Sequence, residues 1–424
     1  MGHLAAKDAY RDLGRAIDGL TMRTPWSETL RAILRELYTP EEADLVSRMP
    51  TGLAPLRRIA EITGIPEQRL AGLLESLAAK GLVMDLESGG GYRYTVSPFV
   101  VGVFELTMMR TDGEVDFPRM ARLFKEYLAA GDGIIEANAG NGERVSVLRT
   151  IPHAEAVADA PHIEVLDHER AGELVERADG VVVGTCSCRH EKLHLGEKRC
   201  EVPLASCLCF GTEDSYLVRR GFGRAVPREA ARELLDMAKE KRLVLNADNV
   251  RKDVGFICLC CSCCCNVLGG IRRFGLPNIL VTSRFIAEVD GSRCTGCGSC
   301  AGSCPIEAIG MVDAPPAGSP RDRRPAVDAS FCIGCGVCGL ACKPRAMRLV
   351  PRARRVILPE NTIERVILQA LERGTLQNFM FDNPNLASQR FLRALFGAFL
   401  SLPPVKRAMM SDGFRSRFLA RITG

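Results

Sequence analysis

The sequence contains no apolar run approaching the ~20 residues that a helix needs to cross a bilayer. Its opening, Met1 to Lys7, lacks the apolar core of a secretory signal, and Ala6 stands where a myristoylation signal needs Ser or Thr. These absences point away from a helical span and from export. They leave a cytoplasmic protein as the expectation, with any contact to the inner membrane peripheral. A dinucleotide fingerprint is missing too, since Gly131 and Gly133 have no third glycine after them and no strand before them. One-sided charge is absent overall: 56 Lys and Arg meet 51 Asp and Glu, for a net +5. The balance is uneven along the chain. From Arg345 onward fourteen basic residues face five acidic ones, so this tail carries +9 and the 344 residues before it sum to −4. Partner arguments start at the tail.

What the sequence does have is cysteine, nineteen in 424 residues. A chain of this length allows about two to four domains, and 46% apolar with 25% charged residues is ordinary for a globular protein. A cytosolic chain of this size keeps its thiols reduced. The odd count, and neighbours as close as Cys260-Cys261 and Cys263-Cys264-Cys265, also suit disulfides badly. Metal–thiolate ligation is the better account.

Periodicity predicts a multidomain α+β chain. Within a first domain, 1–97, residues 27–97 read as a winged helix. Leu30, Ile33, Leu34 and Leu37 mark one helix, Leu56, Ile59, Ala60 and Ile62 a second, and Pro66–Leu82 a third. Val83–Val96 follows as a hairpin tipped by Gly89-Gly90-Gly91. Eight basic against ten acidic residues over 27–97, with only Arg69 and Lys80 on the third helix, make a poor footprint for DNA. Packing or protein docking is the expected role, and nucleic acid is not an expected partner.

Residues 98–284 predict a central α/β cysteine-rich domain. A helix is expected at about Phe117–Ala130, strands near Val145–Leu148 and His162–Val165, a helix at Asp167–Ala178 and a buried strand at Val181–Val183. Pro227 opens a further helix to Lys241. The tail, 351–424, is expected to be helical and basic. Ile363–Arg373 ends at Gly374, and Phe391–Leu402 is nearly all apolar and stopped by Pro403-Pro404. That second stretch cannot hide its apolar residues on one face of an isolated helix, so it points to docking on a protein partner or on an anionic membrane surface.

The strongest signal is an internal repeat. Cys294, Cys297, Cys300 and Cys304 recur as Cys332, Cys335, Cys338 and Cys342, each 38 residues later, both runs spaced C-x2-C-x2-C-x3-C. Gly296, Gly298, Gly334 and Gly336 let the backbone fold tightly around three thiolates. The fourth thiolate of each run is expected at the start of a short helix. Two zinc sites are the alternative, but zinc ribbons space two distant pairs, whereas each run here packs four cysteines closely.

Residues 285–350 thus resemble the bacterial-type two-cluster ferredoxins. In that family the fourth cysteine serves the opposite cluster. The resemblance implies Cys294, Cys297, Cys300 and Cys342 on one [4Fe–4S] cluster and Cys332, Cys335, Cys338 and Cys304 on the other. Pro305 follows Cys304 as in the family, whereas Lys343 intervenes before Pro344. The Pro- and Arg-rich linker Asp313–Pro325 lengthens the connection.

Eleven cysteines lie upstream, and no recurring spacing pairs them. The chain to about residue 350 resembles a wider group of winged-helix iron–sulfur proteins of anaerobes, with a CxCR segment, a C…P…C…FG segment and a CxCCxCC run. The matching residues are Cys186, Cys188, Arg189, Cys200, Pro203, Cys207, Phe210, Gly211, Cys258, Cys260, Cys261, Cys263 and Cys264; Cys209 and Cys265 are extras. The resemblance implies redox work and one or two further [4Fe–4S] clusters. Buried cysteines acting as small hydrophobes are the alternative. His190 and His194 read as a solvated loop, and Arg189 either donates to a cluster or pairs with a carboxylate.

Three functions follow. The first is an electron-transfer component that relays electrons to or from a partner oxidoreductase, with the basic tail as a docking element. The second is a cluster-based redox-sensing DNA-binding regulator. The third is a reductase with its active site at Cys258–Cys265, weakened by the lack of a CCG motif of the heterodisulfide-reductase type.

Overall fold

The computed structural model describes residues 8–410 apart from 112, 114, 132, 159–163, 314–322 and 354–355. Contacts gather the chain into two compact units, one drawn from Met1–Asn141 with Ile363–Gly424, the other from Gly142–Thr362.

The first unit opens with helices Ala9–Asp18, Glu28–Leu37 and Pro40–Arg48. Thr39 and Glu42 cap the third of these reciprocally, and Pro40 sits at its first position, where no amide hydrogen is needed. Strand β1 (Ala54–Pro55), helices Leu56–Thr63 and Glu67–Ala79, and strands β2 (Val83–Ser88) and β3 (Gly91–Val96) follow, in sheet order β1-β3-β2. Gly89 and Gly90 both have positive φ, 64° and 80°, as the tight hairpin turn between Ser88 and Gly91 requires. Leu30, Ile33, Leu34 and Leu70 are fully buried in this unit.

The tail belongs to the same unit. Helix Thr362–Arg373 ends where Gly374 turns left-handed, and Arg373 donates to Asn138 Oδ1 at 2.8 Å. Arg58 forks onto Asp382 with two bonds of 2.9 Å. The apolar helix runs Ala387–Ser401 and buries Leu400 beside Ala370, Leu371 and Leu376. Its Phe391, Leu395 and Phe399 stay more than half exposed. The proline pair does not end helical structure: Pro403 starts another helix, Pro403–Met409.

The second unit centres on six strands, β4 (Leu148–Ile151), β5 (Val181–Thr185), β6 (Ala205–Phe210), β7 (Gly223–Val226), β8 (Val244–Asp248) and β9 (Phe256–Cys260), in order β4-β8-β9-β6-β5-β7. Every neighbouring pair is antiparallel, so no parallel βαβ layer occurs among the described residues. Strand alternation splits the sheet into two faces. Leu208, Ile257, Leu259, Leu245 and Ala247 build one core together with Ala231 and Ala238 of helix Arg228–Glu240. Val244, Phe256 and Cys260 belong to a second core, which contains the cysteine repeat. The strand expected at His162–Val165 lies partly outside the described residues, and Val165 is buried without being in a strand.

The repeat folds as strands β10 (Phe285–Val289), β11 (Ile309–Asp313), β12 (Arg323–Val327) and β13 (Met347–Pro351). β10 pairs with β13 and β11 with β12, so each half lends one strand to each two-stranded sheet. Short helices Ser299–Ser303 and Val337–Ala341 hold the third cysteines, Cys300 and Cys338. Cys304 and Cys342 cap the C-terminal ends of these helices, not their starts, because left-handed Gly298 and Gly336 begin each helix before the third cysteine. The repeat is stitched to the sheet by His153 N–H to Cys335 O (3.0 Å), Val281 N–H to Leu148 O (2.8 Å) and a fork from Arg284 onto buried Glu169 (2.8 and 2.9 Å).

Glu42 gives the first unit an acid-sensitive anchor. Burial alone would raise its carboxyl pKa, but the Lys80 ammonium at 2.7 Å, the Thr39 amide and the Ser76 hydroxyl together hold it below the usual range. A depressed folded pKa contributes stability that is complete above the unfolded value, about pH 4.3, and is lost as pH falls through the folded one. We therefore expect Glu42→Gln to cost about 2 kcal/mol at neutral pH and the two proteins to converge as pH falls below the ordinary carboxylate range. Trp26, the only tryptophan of the chain and packed on Gly14, reports unfolding of this unit by fluorescence.

Candidate metal centres

Two cavities sit in the cysteine repeat, each with about 310 Å³ of unfilled space partly open to solvent. One is lined by Cys304, Cys332, Cys335 and Cys338, the other by Cys294, Cys297, Cys300 and Cys342. The structure thus gathers two quartets, each with three thiols from one half and the fourth from the other. The halves repeat in detail. Asp290 accepts from Ser292 N–H and Oγ (3.0 and 2.6 Å), and Asp328 from Ser330 N–H and Oγ (2.9 and 2.6 Å), before the first cysteine of each run. The crossing thiols are matched as well: Ala308 N–H donates to Cys304 Sγ at 3.2 Å and Met347 N–H to Cys342 Sγ at 3.3 Å. Such bonds orient a thiolate and offset its charge.

Burial differs between the quartets. Cys332, Cys335 and Cys338 are all buried, whereas Cys297 is exposed and Cys294 half-buried. Burial pushes the Cys335 thiol up to about 12, with the Cys332 and Cys304 thiols adding to the rise, and Cys338 and Cys304 also rise through burial first. Thiols held protonated in this way ionise on binding a metal, which releases protons. Four thiols, a cavity and a tight glycine backbone fit a [4Fe–4S] cube at both places.

A second group lies on the β6–β9 face of the sheet. Cys207 pairs in register with Cys258, and alternation puts Cys209 and Cys260 on the same side. Cys207 and Cys209 Sγ are 3.8 Å apart. Hydrogen bonds continue the chain of thiols from Cys207 to Cys258, Cys260, Cys265 and Cys188. Cys186 stands beside Cys188 and Cys207, and burial raises its pKa to about 12. Hydrogen bonds from Cys258 and Cys265 lower Cys260 to about 6. Asn246 of β8, paired with Cys258, turns its buried Nδ2 towards Cys260 and helps to lower that thiol. Cys209 and Cys265, outside the family pattern, lie within this group.

The remaining four upstream cysteines converge elsewhere. Sγ atoms of Cys200, Cys261, Cys263 and Cys264 all lie within 4.8 Å of one another, the tightest gathering of ligand atoms among the described residues. Helix Ser187–His194 brings Arg189 to them. Arg189 is 1% exposed and donates to Ser206 Oγ (2.8 Å), to Leu259 O and to Cys200. Burial works against its charge, and the neighbouring Cys186, Cys261 and Cys200 sulfurs work the other way, so its pKa stays above the usual arginine value. His190 and His194 are helical rather than in a solvated loop; His190 is buried, and the two Nε2 atoms are 2.9 Å apart.

Sequence reasoning missed several supports. Asn246, Ser283 and His153 carry no spacing signal, whereas Asp290-x-Ser292 and Asp328-x-Ser330 recur at the 38-residue offset and were findable.

Comparison with known proteins agrees with the repeat. Residues 293–346 match the 4Fe-4S dicluster domain family. No curated protein and no solved structure matches the chain. The segment is a ferredoxin-like domain that binds 4Fe–4S clusters.

Gly334 tests the cradle. A Cβ there would fall 2.1 Å from Phe285 O at a φ of +69°, whereas at Gly298, φ +76°, nothing lies closer than Met311 Sδ at 4.0 Å. Gly334→Ala should lower the iron and sulfide content by about one [4Fe–4S] cluster. Gly298→Ala, strained by only about 1 kcal/mol, should retain them. Iron and sulfide assays on anaerobic protein read both.

Proposed function

We propose that the chain is an electron-transfer component in which clusters held by the two crossed quartets pass single electrons to or from a partner oxidoreductase. The observation that carries this reading is the pair of four-cysteine cavities, each completed by a thiol of the other half. Crossing makes the two sites neighbours through the chain itself. The exposed Cys297 gives the outer site a terminus for exchange, and the buried quartet faces the sheet.

The thiol chain on the sheet face extends the path inward. Its seven cysteines exceed the four that a third [4Fe–4S] cluster needs. Cys265 caps helix Asn266–Phe274, whose Arg272 donates to Pro305 O beside Cys304. Seven residues of helix span roughly 10 Å, so a cluster there would lie a short step from the buried quartet. Cys260, Cys265 and Cys304 also belong to one apolar cluster.

The other segments support docking over gene regulation. In the winged-helix reading, the third helix presents Arg69 and Lys80, yet Arg69 is paired with Glu41 and Lys80 with Glu42. Arg57 and Arg58 are paired as well. Little positive charge is left for phosphates. The stripe of Phe391, Leu395 and Phe399 in the basic tail suits a protein partner. Among the described residues no helix is long and apolar enough to cross a membrane.

Anaerobic protein should contain about twelve inorganic sulfides with at least as many irons, eight of each for the crossed quartets and four for the sheet face. Cys304→Ser should disturb the cluster of Cys332, Cys335 and Cys338, and Cys342→Ser that of Cys294, Cys297 and Cys300, as read by electron paramagnetic resonance of the reduced protein. A variant that damaged only its own half would end the crossed arrangement. A redox-dependent gel shift at physiological salt would replace the relay with the regulator.

A further inference from the structure

The four cysteines nearest Arg189 do not fit the cofactor of the other sites. A metal–sulfur bond of about 2.3 Å in a tetrahedron places neighbouring sulfurs about 3.8 Å apart. A [4Fe–4S] cube, with each cysteine on a different iron, spreads them to roughly 6 Å. Here Cys200 Sγ lies 3.7 Å from Cys261 and 3.8 Å from Cys264, while Cys263 lies 3.6 Å from Cys261 and 3.5 Å from Cys264. The other two pairs are within 4.8 Å. Four edges match the mononuclear value, and no space remains between the sulfurs for four irons and four sulfides.

Packed neutral thiols are the competing account, and the charge around them argues against it. Arg189 is buried beside the group, donates to Cys200 and leaves its Nε unbonded. A guanidinium so placed needs a compensating anion. One divalent ion with four thiolates carries a net charge of −2; four thiols carry none.

We infer that Cys200, Cys261, Cys263 and Cys264 bind one tetrahedral metal ion without bridging sulfide, a closed thiolate site of the zinc or single-iron kind. All four positions are filled by protein, so the ion has no open place for substrate and acts in the structure. It ties the turn after β9 to the loop that precedes β6. That turn lies between Cys260 and Cys265, so the ion sets the spacing of two thiols on the opposite sheet face. The assignment is independent of the relay, because it concerns what this quartet holds whether or not electrons pass elsewhere.

The test is metal and sulfide stoichiometry on full-length anaerobic protein. Iron plus zinc should exceed inorganic sulfide by one atom per chain. X-ray absorption for zinc, or Mössbauer spectroscopy for iron, should show that atom in a shell of sulfur at about 2.3 Å with no metal neighbour, and the two methods identify the element. Cys263→Ser, at a half-buried position, and Cys200→Ala should each lose this one atom and no sulfide. Equal metal and sulfide in the wild type would overturn the assignment, and so would loss of about four irons with four sulfides from either variant. An unchanged metal count in both variants would do the same. The wild-type stoichiometry decides alone if neither variant accumulates.

Discussion

The second unit depends on one constraint: a buried thiolate is tolerated only where its charge is shared with a metal or matched by a cation. Eight of its cysteines are buried outright and only Cys297 is exposed. Desolvation raises the pKa of Cys186, Cys335 and Cys338, so these groups would remain neutral without a metal. Binding a metal would convert them to ligands and couple its loading to folding. The same constraint bears on Arg189, a buried cation that donates to Ser206, to Leu259 O and to Cys200 and needs an anion beside it.

Geometry, more than cysteine number, separates the centres. In β9 the period of two puts Cys258 and Cys260 on the face that leads to the repeat. The chain then leaves the strand, and Cys261, Cys263 and Cys264 turn back towards the opposite core. Cys265 caps the next helix and returns to the first face. A run of six cysteines in eight residues is thus shared between two sites by a strand end and a helix start. Of the three adjacent pairs, Cys260-Cys261 and Cys264-Cys265 straddle that divide.

This also marks how far the sequence could be read. The 38-residue repeat was legible because its chemistry is local, and glycine and cysteine at fixed offsets define both cavities. Helices such as Glu67–Ala79 and Phe117–Ala129 were legible from apolar period and capping. The division of the upstream cysteines was not, because it depends on pairing between β6 and β9, which lie some fifty residues apart in the chain. The antiparallel order of the sheet was hidden for the same reason. His190 was read as solvated because its local sequence is polar, yet helix Ser187–His194 carries it into a buried position.

The unequal burial of the two crossed quartets gives the repeat a direction that its sequence symmetry lacks. Both halves have the same spacing, the same Asp-x-Ser turn and the same amide bond to the crossing thiol. Only the surroundings differ. His153 N–H and Ser283 Oγ bind the backbone of the Cys332–Cys338 loop, and Ala156 packs on Gly336 and Gly339. The Cys294–Cys300 loop leaves Thr295, Cys297 and Ser299 exposed. Low dielectric favours the less charged state of a cluster and solvent the more charged one, so clusters held by identical ligand sets in these two settings would differ in potential. A duplicated motif became asymmetric when one copy was packed against a sheet, and that packing also brought it close to the thiols on the sheet face.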